Sequence, residues 1–279
     1  MGDRIDDRDQ WTESRPTEGR RALRLDELWG ARELVAFLAL RDVKVRYKQA
    51  VFGGAWAIAQ PLAAAVIFTV VFGRLAKISS GDVPYLVFAF SGFSLWSYFS
   101  TAVNDARNSL VGNSALITKV YFPRLAIPLA SILPGLVDLA VALVVLAVMC
   151  VSTGIHPGLE ILTAPLFLFG AMVVAFGAGT LFAALSVRYR DVQQVFGLLL
   201  QLWLFATPVA YPSTLVKGGW RWLYAINPMV GAVDGWRWAL LGGRAPGREA
   251  LVSALVALGL LYAGLRVFQQ SERRFADVI

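Results

Sequence analysis

Long uncharged runs separated by short charged ones dominate the chain, and they set the elements it predicts. Residues 50–73, 83–104, 161–187 and 192–216 contain no Asp, Glu, Lys or Arg, and 125–159 contains one, Asp138. A helix needs about 20 apolar residues to cross the roughly 30 Å hydrocarbon layer of a bilayer, so each run is long enough. The last run, 250–265, is short, but Arg266 lengthens it by reaching back to the interface. The pattern therefore predicts an all-α integral membrane protein with six transmembrane helices in residues 50–270.

Residues 25–40 follow a different period. Leu28, Ala31, Val35 and Leu38 recur at helical spacing, Leu34 and Phe37 widen the stripe, and Glu27 and Glu33 take the other side. This predicts an N-terminal amphipathic helix lying in the membrane interface, with a basic collar directly after it and the pair occupying 25–49. In the collar, Arg41, Lys44, Arg46 and Lys48 either anchor topology on anionic lipids or meet the phosphate head of a lipid-linked substrate. Paired glycines, Gly53 and Gly54, then let the chain bend into the first span, where Pro61 predicts a kink.

Between the fifth and sixth spans the pattern breaks again. Trp220, Trp222, Tyr224, Trp236 and Trp238 flank Asn227-Pro228, and neither half is long enough to cross. Two short re-entrant helices fit this segment if protein or water covers their broken backbone; an aromatic belt at headgroup level is the simpler alternative. The polar stretch 104–124 predicts an inner connector with room for a short helix parallel to the membrane. Its residues Asp105, Arg107, Asn108, Asn113 and Lys119 are either a lever for a cytosolic partner or plain linker.

Composition agrees with a membrane protein. Hydrophobic residues make up 57%, charged residues 16%, and the mean hydropathy is +0.59, against roughly 25% charged in an average soluble domain. That excludes a disordered chain, a disulfide scaffold and an ordinary water-soluble enzyme. The net charge of +7 would suggest nucleic acid in a soluble protein, but here the basic residues face lipid phosphates. An even number of spans puts both termini on one side, and the cations abutting the first span place that side in the cytoplasm. The first 24 residues alternate acids and arginines without an apolar core, which predicts a polar cytoplasmic tail and no cleavable signal peptide. Residues 271–279 form a short tail at the other end.

Candidate chemistry is sparse. The chain has one Cys and one His, no phosphate-binding loop motif, and neither metal-ligand spacing nor a nucleophile–histidine arrangement. Energy for uphill transport must then come from another subunit. Asp138 is the lone intramembrane charge, and such carboxylates face a bundle interior or a wet cavity, in a structural or a pathway role. Trp96, Tyr98, Phe99, Trp203, Phe205, Tyr211 and Tyr224 either line a path for glycans by stacking on sugar rings or pack helices together. Packing is the simpler reading for any one of them. No proton relay is expected.

Several stretches, in order, resemble the permease subunits of type-2 ABC exporters for O-antigen, capsule-like polysaccharide and teichoic acid. They are Arg41-Asp42-Val43-Lys44-Val45-Arg46-Tyr47-Lys48-Gln49 with Gly53, Trp56 and Gln60-Pro61; Val71-Phe72-Gly73-Arg74-Leu75; and Leu116-Ile117-Thr118-Lys119-Val120-Tyr121-Phe122-Pro123-Arg124. Then come Val187-Arg188-Tyr189-Arg190-Asp191-Val192, Gln201-Leu202-Trp203, Asn227-Pro228, Trp236-Arg237-Trp238-Ala239-Leu240-Leu241-Gly242 and the terminal Phe275-Ala276-Asp277-Val278-Ile279.

The resemblance implies a multi-pass protein of the bacterial cytoplasmic membrane, working as a homodimer with two cytosolic ATPase subunits. ATP and Mg would sit on those partners, and this chain would hold no cofactor and bind no nucleic acid. It also implies a channel between protomers and a glycan carried on undecaprenyl pyrophosphate. Phe52-Gly53 stands where members usually have Leu-Gly, at the bend near the gate that admits the lipid. The helix after Asn104 would dock on the ATPase, and the aromatic outer segment would close the exit. Two alternatives stand beside this reading: export of a drug or small lipid, and a polyprenyl-linked glycosyl- or acyltransferase. The transferase would need a carboxylate or histidine set that the sequence lacks.

Overall fold

The computed structural model describes residues 25–48, 53–119, 122–189 and 191–278; the predicted N-tail and Phe52 lie outside them. The regular elements of the described residues are helical. Five stretches are long and apolar enough to cross a membrane: Trp56–Leu75, Tyr85–Gly112, Ala126–Ser152, Leu159–Val187 and Glu249–Glu272.

Helix α1, Leu25–Gly30, and helix α2, Arg32–Lys48, are the predicted interfacial segment. Val35, Leu38 and Ala39 of α2 are buried, whereas Phe37 and Leu40 face outwards. The first span is α3, Gly53–Phe68, with Pro61 inside it, running on as a π-helix over Thr69–Leu75. The wider π turn returns the Ala76 N–H to the Val71 carbonyl.

Helix α4, Tyr85–Gly112, is longer than expected. The polar residues from Asn104 onwards continue the helix, because no Gly or Pro interrupts 93–111. Gly112 and Asn113 end it, and the Asn113 backbone N–H returns to the Ser109 and Leu110 carbonyls. The short helix anticipated in this region is therefore α5, Ser114–Lys119, a single turn and a half after the span.

The third apolar run is divided into α6, Ala126–Ser131, and α7, Gly135–Ser152. Pro134 immediately precedes α7, where its missing N–H does no harm. Asp138 thus stands in the first turn of a helix, at the positive end of its dipole. Helix α8 spans Ala164–Arg188.

The run 192–216 gives only α9, Val192–Phe205, of 14 residues, about 21 Å at 1.5 Å per residue. Its end follows from Pro208 and Pro212, neither of which has an N–H to donate. Then come α10, Trp220–Tyr224, and α11, Pro228–Leu241. The last helix, α12, runs over Glu249–Val278.

Helix α4 is the axis of the bundle, packed against α3, α6, α7, α8 and α11, and Phe90, Leu95, Phe99, Ala102, Val103 and Ala106 on it are fully buried. Helices α8 and α12 approach closely at Gly177, where a Cβ would lie 2.7 Å from the Leu261 Cα. Small residues are what allow such backbone contact between apolar helices. Elsewhere Val144, Val148, Leu166 and Leu258 are exposed, as suits faces turned to lipid. A second cluster joins Leu38 of α2 to Leu110, Ile127, Ala183, Ala184, Leu265 and Phe268. It gathers α2, the ends of α4, α8 and α12, and helix α6 at one end of the bundle.

Candidate functional site

The collar and the lone Asp138 are brought together. Arg46, near the end of α2, donates one guanidinium nitrogen to Asp138 on α7 at 2.8 Å and another to Asp105 on α4. Tyr47 donates its hydroxyl to the second oxygen of Asp138. One cation thus bridges carboxylates from two helices, using the fork geometry that distinguishes Arg from Lys. Burial works against the Arg46 charge, yet Asp105 and Asp138 outweigh it and raise its pKa. Burial and the bond to Asp138 push the Tyr47 hydroxyl up to about 12.

The rest of the collar behaves differently. Arg41 pairs with Asp42 and donates to Asn113 at 2.8 Å, tying α2 to the end of α4. Lys44 and Lys48 are exposed and make no ion pair among the described residues. Gly53 opens α3, while Phe52 lies outside the described residues.

Above the Arg46 cluster is a cavity of about 230 Å³ between α3, α4 and α7. Gln60, Ser94, Ser97, Thr101 and Asp138 give it a polar lining, and Trp56 and Tyr98 also border it. Tyr98 is only 2% exposed, and its hydroxyl has no hydrogen-bond partner among the described residues.

The aromatic set divides into an interior group and an outer group. Trp96, Tyr98 and Phe99 are buried within the protomer. Phe99 meets Trp203 edge-on with ring centres 5.0 Å apart, and Phe205, at the end of α9, is 53% exposed. Tyr211 and Tyr224 join hydroxyl to hydroxyl at 2.9 Å, and the Tyr211 hydroxyl donates onward to the Phe205 carbonyl.

Asn227 ties this region into one unit. Its side-chain oxygen accepts from the Trp203 indole at 2.8 Å and from the Met229 backbone at 3.0 Å. Its amide donates to the Ala206 carbonyl and to the Thr207 hydroxyl. All the hydrogen-bonding capacity usually met by an amide is engaged. The sequence logic is simple: Asn caps α11 and Pro follows at the first helical position.

The residues proposed for coupling run from the end of α4 through Asn113 into α5. Asp105 belongs to the Arg46 cluster, and Asn108 is exposed beside Asn104. Arg107 is buried with its guanidinium 4.4 Å over the Phe196 ring, which ties α4 to α9. Lys119 ends α5.

At the opposite end of the molecule is a centre that the sequence reading passed over. Arg237 on α11 is 8% exposed. It lies 3.7 Å over the Phe88 ring and donates to the carbonyls of Pro208 and Val209 at 3.0 and 2.9 Å. Gly92 makes the approach possible, since a Cβ there would come within 2.6 Å of the Val209 carbonyl. The Arg flanked by two tryptophans was visible in the sequence, but only as part of an aromatic segment. No group of three or more His, Cys, Asp or Glu able to hold a metal occurs among the described residues.

Comparison with known proteins adds the family dimension. Residues 33–241 match the family model described as "ABC-2 type transporter". The chain is 28% identical over 250 residues to an "O-antigen export system permease protein RfbA" of Klebsiella pneumoniae, covering 88% of this chain and 95% of the relative. A protein of the same description from Myxococcus xanthus is 29% identical over 256 residues, 91% of this chain and 98% of its own. The "Polysialic acid transport protein KpsM" of Escherichia coli is 24% identical over 241 residues, 85% and 93% of the two chains.

Proposed function

The chain belongs to the ABC-2 type transporter family, and from that premise we propose that it is the permease subunit of an ATP-driven polysaccharide exporter. The observation that carries the reading is the near full-length similarity to O-antigen export permeases, on both chains. In this proposal the permease pairs with a second copy and with two cytosolic ATPase subunits. The ATPase binds ATP and Mg and supplies the work. The cargo is a glycan on undecaprenyl pyrophosphate, moved across the cytoplasmic membrane between the two permeases.

The geometry supports a sixth crossing by α9. Helix α8 ends at the α2 end of the bundle, where Ala183 and Ala184 pack with Leu38, whereas α12 starts at the far end, where Glu249 pairs with Arg221. The chain must travel between the two ends from 188 to 249, and α9 with the turns after Phe205 is the path. On the same reading α10 and α11 are the re-entrant pair at the outer end, and both termini are cytoplasmic. The exposed stripe Val195, Leu198, Leu202 and Phe205 on α9 is the face given to the channel and the second protomer. Lys44 and Lys48 are the cations left open to the lipid phosphate.

Deletion of the gene tests the proposal. Surface polysaccharide is lost and lipid-linked glycan accumulates inside. Complementation restores export only when the partner ATPase retains its phosphate-loop lysine. Export that continues with the ATPase disabled would exclude the mechanism.

A further inference from the structure

The region around Arg237 opens into a cleft of about 620 Å³ at the end of the bundle opposite α2. Its walls are the 79–83 loop, the 212–214 turn, the end of α11 and the 242–247 loop. Gly242 and Gly243, at φ 74° and 90°, turn the chain back over it in a backbone conformation that other residues rarely adopt. The volume falls within the roughly 300–1,000 Å³ of ordinary small-molecule sites.

The lining mixes donors and acceptors. Asp82 and Asp234 accept, Arg237 and Arg244 donate, Arg221 is engaged by Glu249 at 3.4 Å, and Trp238 contributes a half-buried ring held edge-on against Phe167 at 6.3 Å. Arg237 is over nine-tenths buried, yet its Nε has no partner among the described residues, and its nearest carboxylate oxygen, on Asp234, is 3.9 Å away. Phe88 beneath the guanidinium and the two carbonyls beside it fix this group in place. Asp82 and Arg244, on the rim, are exposed and unpaired among the described residues. An anion would face two carboxylates here, and a cation would face guanidinium groups. A sugar ring carries hydroxyls that both donate and accept, with an apolar C–H face that suits Trp238.

We propose that this cleft is an exit-side glycan subsite, one per protomer, which takes an uncharged, hydroxyl-rich sugar residue of the emerging polysaccharide. The inference rests on the polysaccharide reading above. It adds where the chain is held on leaving and which sugar chemistry is favoured.

The test uses the exporter, permease with its ATPase, in lipid nanodiscs. The probe is the host's surface polysaccharide, released from lipid by mild acid and cut to oligosaccharides. Ala245→Cys, on the cleft rim, is labelled with a membrane-impermeant maleimide; the native Cys150 is buried. The oligosaccharide should slow labelling at least fivefold, and Asp82→Asn or Arg244→Gln should abolish that protection without changing complex assembly or basal ATPase activity. A polysialic acid oligomer should protect less. Unchanged labelling with the host oligosaccharide overturns the subsite, and stronger protection by polysialic acid overturns its preference for uncharged sugar. Surface polysaccharide in the complemented deletion strain is scored in parallel. If it does not depend on this chain, the polysaccharide reading falls; if it does and the cleft is unprotected, only the subsite falls.

Discussion

Arg46 donates to Asp138 at 2.8 Å although the two residues are 92 positions apart. The bond fastens the last turn of α2 to the first turn of α7. Because Asp105 shares the same guanidinium, movement of α2 at this point must break contacts to two helices. A charge inside an apolar protein is tolerable only when so compensated.

Arg46→Ala and Asp138→Asn should each lower the stability of the detergent-purified permease. Their combined effect should fall short of the sum by about 1–3 kcal/mol, the usual coupling for groups in one charge network. Arg46→Lys should recover only part of the loss, since an ammonium does not reproduce the two-pronged geometry. A thermal or chemical unfolding series on wild type, the three single variants and the double variant measures it, and strictly additive losses would disprove the link.

Tyr47 makes the same cluster sensitive to alkali. Its hydroxyl titrates near 12 in place of 10 because burial and the bond to Asp138 favour the neutral form. A folded-state pKa raised above the unfolded one gives stability that is complete below pH 10 and lost as the pH rises through about 12. The difference in phenolate absorbance between wild type and Tyr47→Phe should show one phenol titrating in that window. A step near pH 10 would mean the hydroxyl is free.

Lys44 and Lys48 should affect transport without affecting folding. The double change Lys44→Gln with Lys48→Gln should reduce export severalfold and leave the unfolding midpoint in place, because neither side chain pairs with a described residue. Surface-polysaccharide staining and differential scanning fluorimetry are the readouts. Equal loss of both would give these lysines a structural task in place of phosphate contact.

Asn227→Ala should destabilise the region around α11 by about 1–3 kcal/mol, since it removes the α11 cap and orphans the Trp203 indole. Asn227→Asp keeps the acceptor but loses both donors to Ala206 and Thr207, so it should fall between wild type and Ala. The order Asn, Asp, Ala in unfolding midpoint is the expected result; Asp equal to Ala would mean that the cap contributes nothing.

The sequence alone determined the elements whose cause is local. Uncharged length predicted spans at 50–73, 83–104, 125–159, 161–187 and 250–265, and a helix was found in each. The break between the short helices α10 and α11 was legible in Asn227-Pro228, because a cap followed by proline has a helix start as its natural conformation. Local readings went astray where tertiary packing or a chain ending governs. Polar residues after Asn104 looked like a connector, yet they continue α4 where Arg107 lies over the Phe196 ring. Run length could not show that α9 stops at Phe205.

What only the tertiary structure decided is which side chains meet. Asp138 looked isolated because no charge stands near it in the chain; its partners, Arg46 and Tyr47, arrive on α2 once the helices pack. Likewise every aromatic in a span reads alike by composition, while crossing geometry buries Tyr98 and Phe99 and leaves Phe205 outside. Hydrophobicity is a property of each residue and can be summed along a run. A hydrogen bond or a lined cavity is a property of pairs, set by how helices far apart in sequence are rotated against each other.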